Sequence, residues 1–172
     1  MQSSFNKKET RPGALQELIK SPQQVKTIVR KSAVTDCVVA LPFHYSKGTA
    51  EELVFSRMSF CEDFSIRSLS NNKLLILENC VFHRTVTLDA IKNVKIIIRN
   101  CHFMDTLQIT NLESCMIELY GTSHNQDAVL SNIKVDTFFT SDVDMKKQNM
   151  LQLVNSSVSN FMNHSTSIPT YA

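Results

Sequence analysis

Apolar residues fall at every second position in short runs along this chain. The runs recur about every 21 residues from Leu53 to Val154. Leu75, Leu77, Cys80, Phe82, Val86, Leu88 and Ile91 reappear at one constant offset as Ile96, Ile98, Cys101, Phe103, Leu107, Ile109 and Leu112. A step of about 22 back from the first set gives Leu53, Phe55, Met58, Phe60, Phe64, Ile66 and Leu69. A step of about 21 forward from the second gives Ile117, Leu119, Thr122, His124, Ala128, Leu130 and Ile133. One more gives Phe138, Thr140, Val143, Met145, Asn149, Leu151 and Val154, so that Asn149 falls on a core position in a ragged last copy.

Spacing of two puts both side chains of a pair such as Ile96 and Ile98 on one face of a strand. Each copy holds three such pairs separated by corners, which predicts one rung of a coil whose equivalent strands pair with the rungs above and below. The expected fold is mainly β, a short parallel β-helix (β-solenoid) of about five rungs with an N-terminal α-helical cap. The same register stacks outward charges. Glu62, Arg84 and Asp105 form one alternating column, and Lys92, Glu113 and Lys134 another. Glu78 sits over Arg99, and Arg67 over Asp89.

The segments Leu74-Leu-Ile-Leu-Glu-Asn-Cys-Val-Phe82 and Val94-Lys-Ile-Ile-Ile-Arg-Asn-Cys-His-Phe103 resemble the rungs of right-handed parallel β-helix proteins. The resemblance covers a little over half the chain and concerns the fold alone. The chain also looks somewhat like bacterial pentapeptide-type solenoids, but the step of six from Phe82 to Leu88 breaks a period of five. The rival architecture is a leucine-rich repeat, since Leu75-x-Leu77-x-x-Cys80-x-Phe82 fits half of that motif. Asn72 and Asn93 stand where its leading leucine belongs, and Val86-x-Leu88 alternates where a helical turn is common.

The flanks read differently. Residues 1–12 are a polar, disordered leader, and 13–52 hold the helical cap and a partial first strand. Residues 53–157 form the solenoid, and 158–172 a flexible tail. Leu15, Leu18 and Ile19 recur at helical spacing, which predicts a helix over 13–20. Ser21-Pro22-Gln23-Gln24 is a helix start with a capping box, opening a second helix over 22–32. These helices are expected to cap the open end of the coil, the alternative being a partner-binding or membrane-surface helix. Residues 1–34 carry seven Lys/Arg and two Glu, against a net charge of +2 for the whole chain, so the remainder is acidic.

Composition narrows the function. No apolar run is long enough to span a membrane, and none at the start fits a secretory signal peptide. Five cysteines is an odd number, and Cys80 and Cys101 are inward positions one rung apart, expected to be reduced core thiols. With three glycines there is no phosphate-binding loop, and no spacing suits a metal, so no cofactor is expected. No basic–aromatic interleaving marks a nucleic-acid groove. Cys37 and His44 have the residue types of a nucleophilic pair, but Cys37 lies in an apolar strand-like stretch. Asp63, Thr85, Thr106 and Asp127 form an outward column whose only charges are two acids. Three rungs separate those acids, about 14 Å, too far to share a glycosidic bond.

The sequence therefore predicts a non-enzymatic interaction or scaffold protein. One version is a bacterial effector exported without a cleaved signal. The alternatives are a carbohydrate-active β-helix enzyme and a leucine-rich-repeat binding module. The expected partner is an unidentified protein or, end to end, another copy. Phe138, Phe139, Phe161 and Met162 at the C-terminal end are the candidate contact residues. The expected location is the cytoplasm, or a host cell if the chain is translocated.

Overall fold

A computed structural model describes residues 17–29, 33–47, 50–70, 74–146 and 149–164, and the backbone of 170–171. The leader 1–12 and Leu15 lie outside the described residues, as do positions 30–32 of the second expected helix.

The chain coils into a parallel β-solenoid of about six turns, bounded by three seven-stranded parallel sheets. A representative rung runs Lys95–Arg99, His102–Phe103, Leu107–Thr110, one strand in each sheet. The first strand of each rung belongs to what we term the long-strand sheet, the second to the short-strand sheet, and the third to the closing sheet. Ile96 pairs with Leu75 below and Ile117 above, and Phe103 with Phe82 and His124. Leu107 likewise pairs with Val86 and Ala128. The inward columns are closed to solvent, with Leu75, Ile96, Ile98, Phe103, Leu107 and Ile117 all at 0% exposure. The repeats contain strands and corners where a leucine-rich repeat would place a helical turn.

The corners explain the polar punctuation. Between the long and short strands, Asp36, Arg57, Asn79, Asn100, Gly121 and Asp142 all take positive φ, from 50° to 58°. A left-handed residue turns the chain sharply, and Asn, Asp and Gly tolerate that conformation best. The next residue points inward: Cys37, Met58, Cys80, Cys101, Thr122 and Val143 are all buried. The Cys80 thiol lies 3.3 Å from the carbonyl of Glu78, and the Cys101 thiol 3.4 Å from that of Arg99. Asn-Cys thus serves as a corner with a small, weakly donating core residue. None of the five cysteines forms a disulfide, and burial pushes the Cys101 and Cys115 thiols up, keeping them protonated.

An aromatic column runs through the core. Phe60, Phe82, Phe103 and His124 stack rung on rung, with centroids 4.8–5.2 Å apart and planes within 10°. Phe43 stacks on Phe64 in the same manner, 5.2 Å apart at 9°. His124 is fully buried. Its Nε2 lies 3.1 Å from Thr122 Oγ1, and its Nδ1 has no hydrogen-bond partner. Burial pulls its pKa down to about 4, with the His102 charge adding to the effect. The ring is therefore neutral and packs as an aromatic.

Three expectations need correction. Glu17–Ile19, within the first expected helix, is a strand paired in parallel with Cys37–Val39. Asn149 is not a core residue: Ala128 pairs with Leu151, and Leu130 with Leu153, a step of 23. Two extra residues enter at that corner, where the Asn149 side chain donates to the carbonyl of Asn125. Strand pairing also continues past residue 157, through Ser157–Asn163 against Lys134–Ser141, and Thr170–Tyr171 pairs with Leu151–Gln152.

The helix Pro22–Val29 forms as the capping signal predicts. The Gln24 amide donates to Ser21 Oγ at 3.3 Å, while Gln24 Oε1 accepts from the Lys20 and Ser21 amides. Ile28, 4% exposed, joins the core at the N-terminal end of the rod. The apolar cross-section is covered there by a helix.

Candidate interaction surface

The outer face of the long-strand sheet carries three columns of side chains, set by the same register that builds the core. The central column reads Val54, Ile76, Ile97, Glu118, Phe139, Met162. One flank reads Glu52, Leu74, Lys95, Met116, Thr137, Asn160, and the other Ser56, Glu78, Arg99, Tyr120, Ser141. Alternation points these residues away from the core. Ile97 illustrates the arrangement. It is only 7% exposed, yet it stands outside the core cluster, covered by its neighbours on the outer face.

Aromatic rings continue the apolar line. Tyr120 and Phe139 lie 4.9 Å apart, and Phe139 and His164 5.4 Å. Tyr120, which alone of its outward column is aromatic, therefore joins a cluster drawn from three rungs. Among the charges, Lys95 Nζ lies 2.7 Å from Glu118 Oε1, and Tyr120 donates to Glu118 Oε2 at 3.2 Å. Arg99 lies 3.7 Å from Glu78. Burial, with the Glu118 carboxylate next, pushes the Tyr120 hydroxyl up, so it stays a donor.

The four expected contact residues divide. Phe138 is inside the rod, fully buried, and packs 5.4 Å from Phe161. Phe161 occupies the same inward column one rung on and is 42% exposed. Phe139 is half-buried on the outer face, and Met162, next to it, is 45% exposed. Phe139 and Met162 thus share one surface, Phe161 lies at the end of the rod, and Phe138, buried beneath Phe161, is exposed on neither. Ile76, Ile97 and Tyr120 also belong to this surface, which their sequence positions alone did not reveal. The available signal was the unbroken apolar runs Leu74–Leu77 and Ile96–Ile98, which mark strands apolar on both faces.

Other candidates stay apart. The Cys37 thiol faces the carbonyl of Thr35 at 3.2 Å, whereas His44, on the closing sheet, bonds Ser65 Oγ through Nδ1 at 2.7 Å. Asp127 accepts from the Met150 amide at 2.8 Å and from Gln152 Nε2 at 3.1 Å, a structural role at the corner with the extra residues. His102 Nδ1 and Ser123 Oγ form a close contact between rungs on the short-strand sheet. Among the described residues no three His, Cys, Asp or Glu side chains converge to hold a metal. No helix there is long and apolar enough to cross a membrane.

The outward charge columns are seen in part. Lys92 Nζ lies 2.9 Å from Glu113 Oε2, and Glu113 pairs in register with Lys134. Burial alone would raise the Asp89 carboxyl, but hydrogen bonds from Asn111 and Thr110 and the Arg67 charge hold it below the usual carboxylate range. Among the described residues Arg84 forms no ion pair with Glu62 or Asp105. Comparison with protein-family models, with curated proteins and with solved structures finds no match to this chain.

Proposed function

We propose that the chain is a non-enzymatic interaction or scaffold protein, a rigid β-rod that docks a protein partner on the outer face of its long-strand sheet. The observation that carries this reading is the outward column Val54, Ile76, Ile97, resumed beyond Glu118 by Phe139 and Met162, with the Tyr120–Phe139–His164 cluster at its C-terminal half. Cross-strand packing already shelters part of these side chains, and a docking face gains further from burying the remainder. The setting we favour is the cytoplasm, or a host cell if the chain is a bacterial effector. The test uses two matched baits, wild type and the double variant Phe139→Ser with Met162→Ser, checked for equal melting temperature. Proteins recovered by the wild type and lost by the variant support the reading. Identical recoveries of every protein, a separately tagged second copy of this chain included, overturn it.

A second surface is the C-terminal end of the rod. Among the described residues six large apolar side chains are exposed, and Val154, Phe161 and Met162 belong to the last strands. End-to-end association through them predicts that Phe161→Asp removes any elongated, end-to-end species seen by light scattering. Phe138→Asp would instead unfold the rod, since Phe138 is fully buried.

A further inference from the structure

Resting on the reading of the long-strand face as a docking surface, we propose that its occupant is a second copy of this chain, packed face to face with the two rods antiparallel. The charges select the register. Place a two-fold axis along the strands, midway between Lys95–Arg99 and Glu113–Tyr120. Each row of outward residues then faces the row reflected across that axis, column on like column. Glu118 of the second copy comes down over Ile97, between Lys95 and Arg99, which flank Ile97 two residues away on the same face. Lys95 and Arg99 already lie against Glu118 and Glu78 of their own copy, so the pairing joins existing ion pairs of both copies into one alternating network across the axis. By symmetry Glu118 of the first copy sits between the same two cations of the second.

The remaining rows agree. Tyr120 of one copy covers Arg99 of the other, a favourable cation–aromatic contact. Phe139 lies over Ile76, Met162 over Val54, and Met116 over the aliphatic stem of Lys95. Glu78 meets the hydroxyl of Ser141. No like charges oppose one another. Moving the axis half a rung either way destroys this. Centred on Ile97, it sets Lys95 on Lys95 and Arg99 on Arg99. Centred on Glu118, it sets the two carboxylates together. Like charges in contact penalise both alternatives, so the face specifies one pairing.

The size is adequate for a weak dimer. Six strands at about 4.8 Å and five residues at about 3.3 Å make a face of roughly 29 by 17 Å. Two such faces bury roughly 1,000 Å² in total, the lower bound for a specific interface.

Sedimentation velocity over about 1–200 μM tests the inference. Wild type is expected to show a concentration-dependent monomer–dimer equilibrium. Glu118→Lys should weaken it at least tenfold, since the introduced lysine would face Lys95 and Arg99. The double variant Lys95→Glu with Arg99→Glu should weaken it similarly. Mixing the two should restore a dimer, because each then meets opposite charge. Phe139→Ser, which leaves the charges in place, covers the case in which a charge variant melts early, and should also weaken the dimer at least tenfold. A wild type that is monomeric throughout overturns the inference. So does a dimer that survives Phe139→Ser and both charge variants, or a mixture of folded charge variants that stays monomeric. A monomeric wild type whose lysate partners are still lost with Phe139→Ser and Met162→Ser would leave the docking reading standing without the second copy.

Discussion

At the residue scale, His124 shows how a core position becomes a pH sensor of stability. It continues the Phe60–Phe82–Phe103 stack, and the stack accepts only the neutral ring. With the folded pKa held at about 4 against an ordinary 6.5, the unfolded chain takes the proton first as pH falls. Stability from this group is complete above about pH 6.5 and declines down to about pH 4, a loss of about 3 kcal/mol. Asp89 acts in the same direction at lower pH. Its depressed carboxyl stabilises the fold above the unfolded carboxylate value, and that is lost as pH falls through the folded one. Replacing His124 with Phe keeps the stack and removes the proton site. The difference in urea-measured stability between about pH 7 and pH 4.5 should then shrink by about 2 kcal/mol. An unchanged difference would mean that acid acts elsewhere. The sequence placed His124 in the core by its offset from Phe103 alone. It did not show that the ring stacks on Phe103 at 10°, or that Nδ1 goes unpaired, because those depend on a neighbour and a rotamer.

At the element scale, register is the quantity that the repeat encodes, and legibility followed from it. Inward pairs such as Leu75 with Ile96 and Phe82 with Phe103 were readable because a core column tolerates only apolar side chains at a fixed offset. The extra two residues before Leu151 were not readable, since an insertion of two preserves alternation and leaves Leu151 apolar on the inward face in either register. The strand Glu17–Ile19 was misread because its helical spacing is a local signal, overridden by parallel pairing with Cys37–Val39. The outer face was legible only in its charges, because its apolar members were absorbed into runs already assigned to the core. The column Lys92, Glu113, Lys134 offers a direct check on register. Glu113→Lys would set three cations in line, one of them replacing the partner now 2.9 Å from Lys92 Nζ. The expected cost is about 1 kcal/mol in low salt, falling as salt screens the exposed site. A cost that does not change with salt would show that the column contributes nothing electrostatic.

At the scale of the whole molecule, each rung touches only its neighbours, so stability is a sum of rung-to-rung contacts and varies along the rod. The N-terminal cross-section is covered by Pro22–Val29, with Ile28 buried against the core. Toward the other end, Ser157–Asn163 pairs with one strand only among the described residues and is exposed along most of its length. Hydrogen exchange should therefore grade from slow in the strands between Leu74 and Tyr120 to fast in Ser157–Asn163. Two substitutions separate local from global effects. Phe103→Ala empties the middle of the aromatic column, where Phe82 and His124 stack on either side at 5.1 and 4.8 Å. It should cost about 3–5 kcal/mol and collapse protection in the rungs on both sides. Phe161→Ser removes an aromatic that is 42% exposed and packs against Phe138 near the end of the rod, so it should speed exchange in Ser157–Asn163 and leave the central strands unchanged. If Phe161→Ser lowered protection throughout, the rod would be behaving as one cooperative unit, and the nearest-neighbour account of its stability would fail.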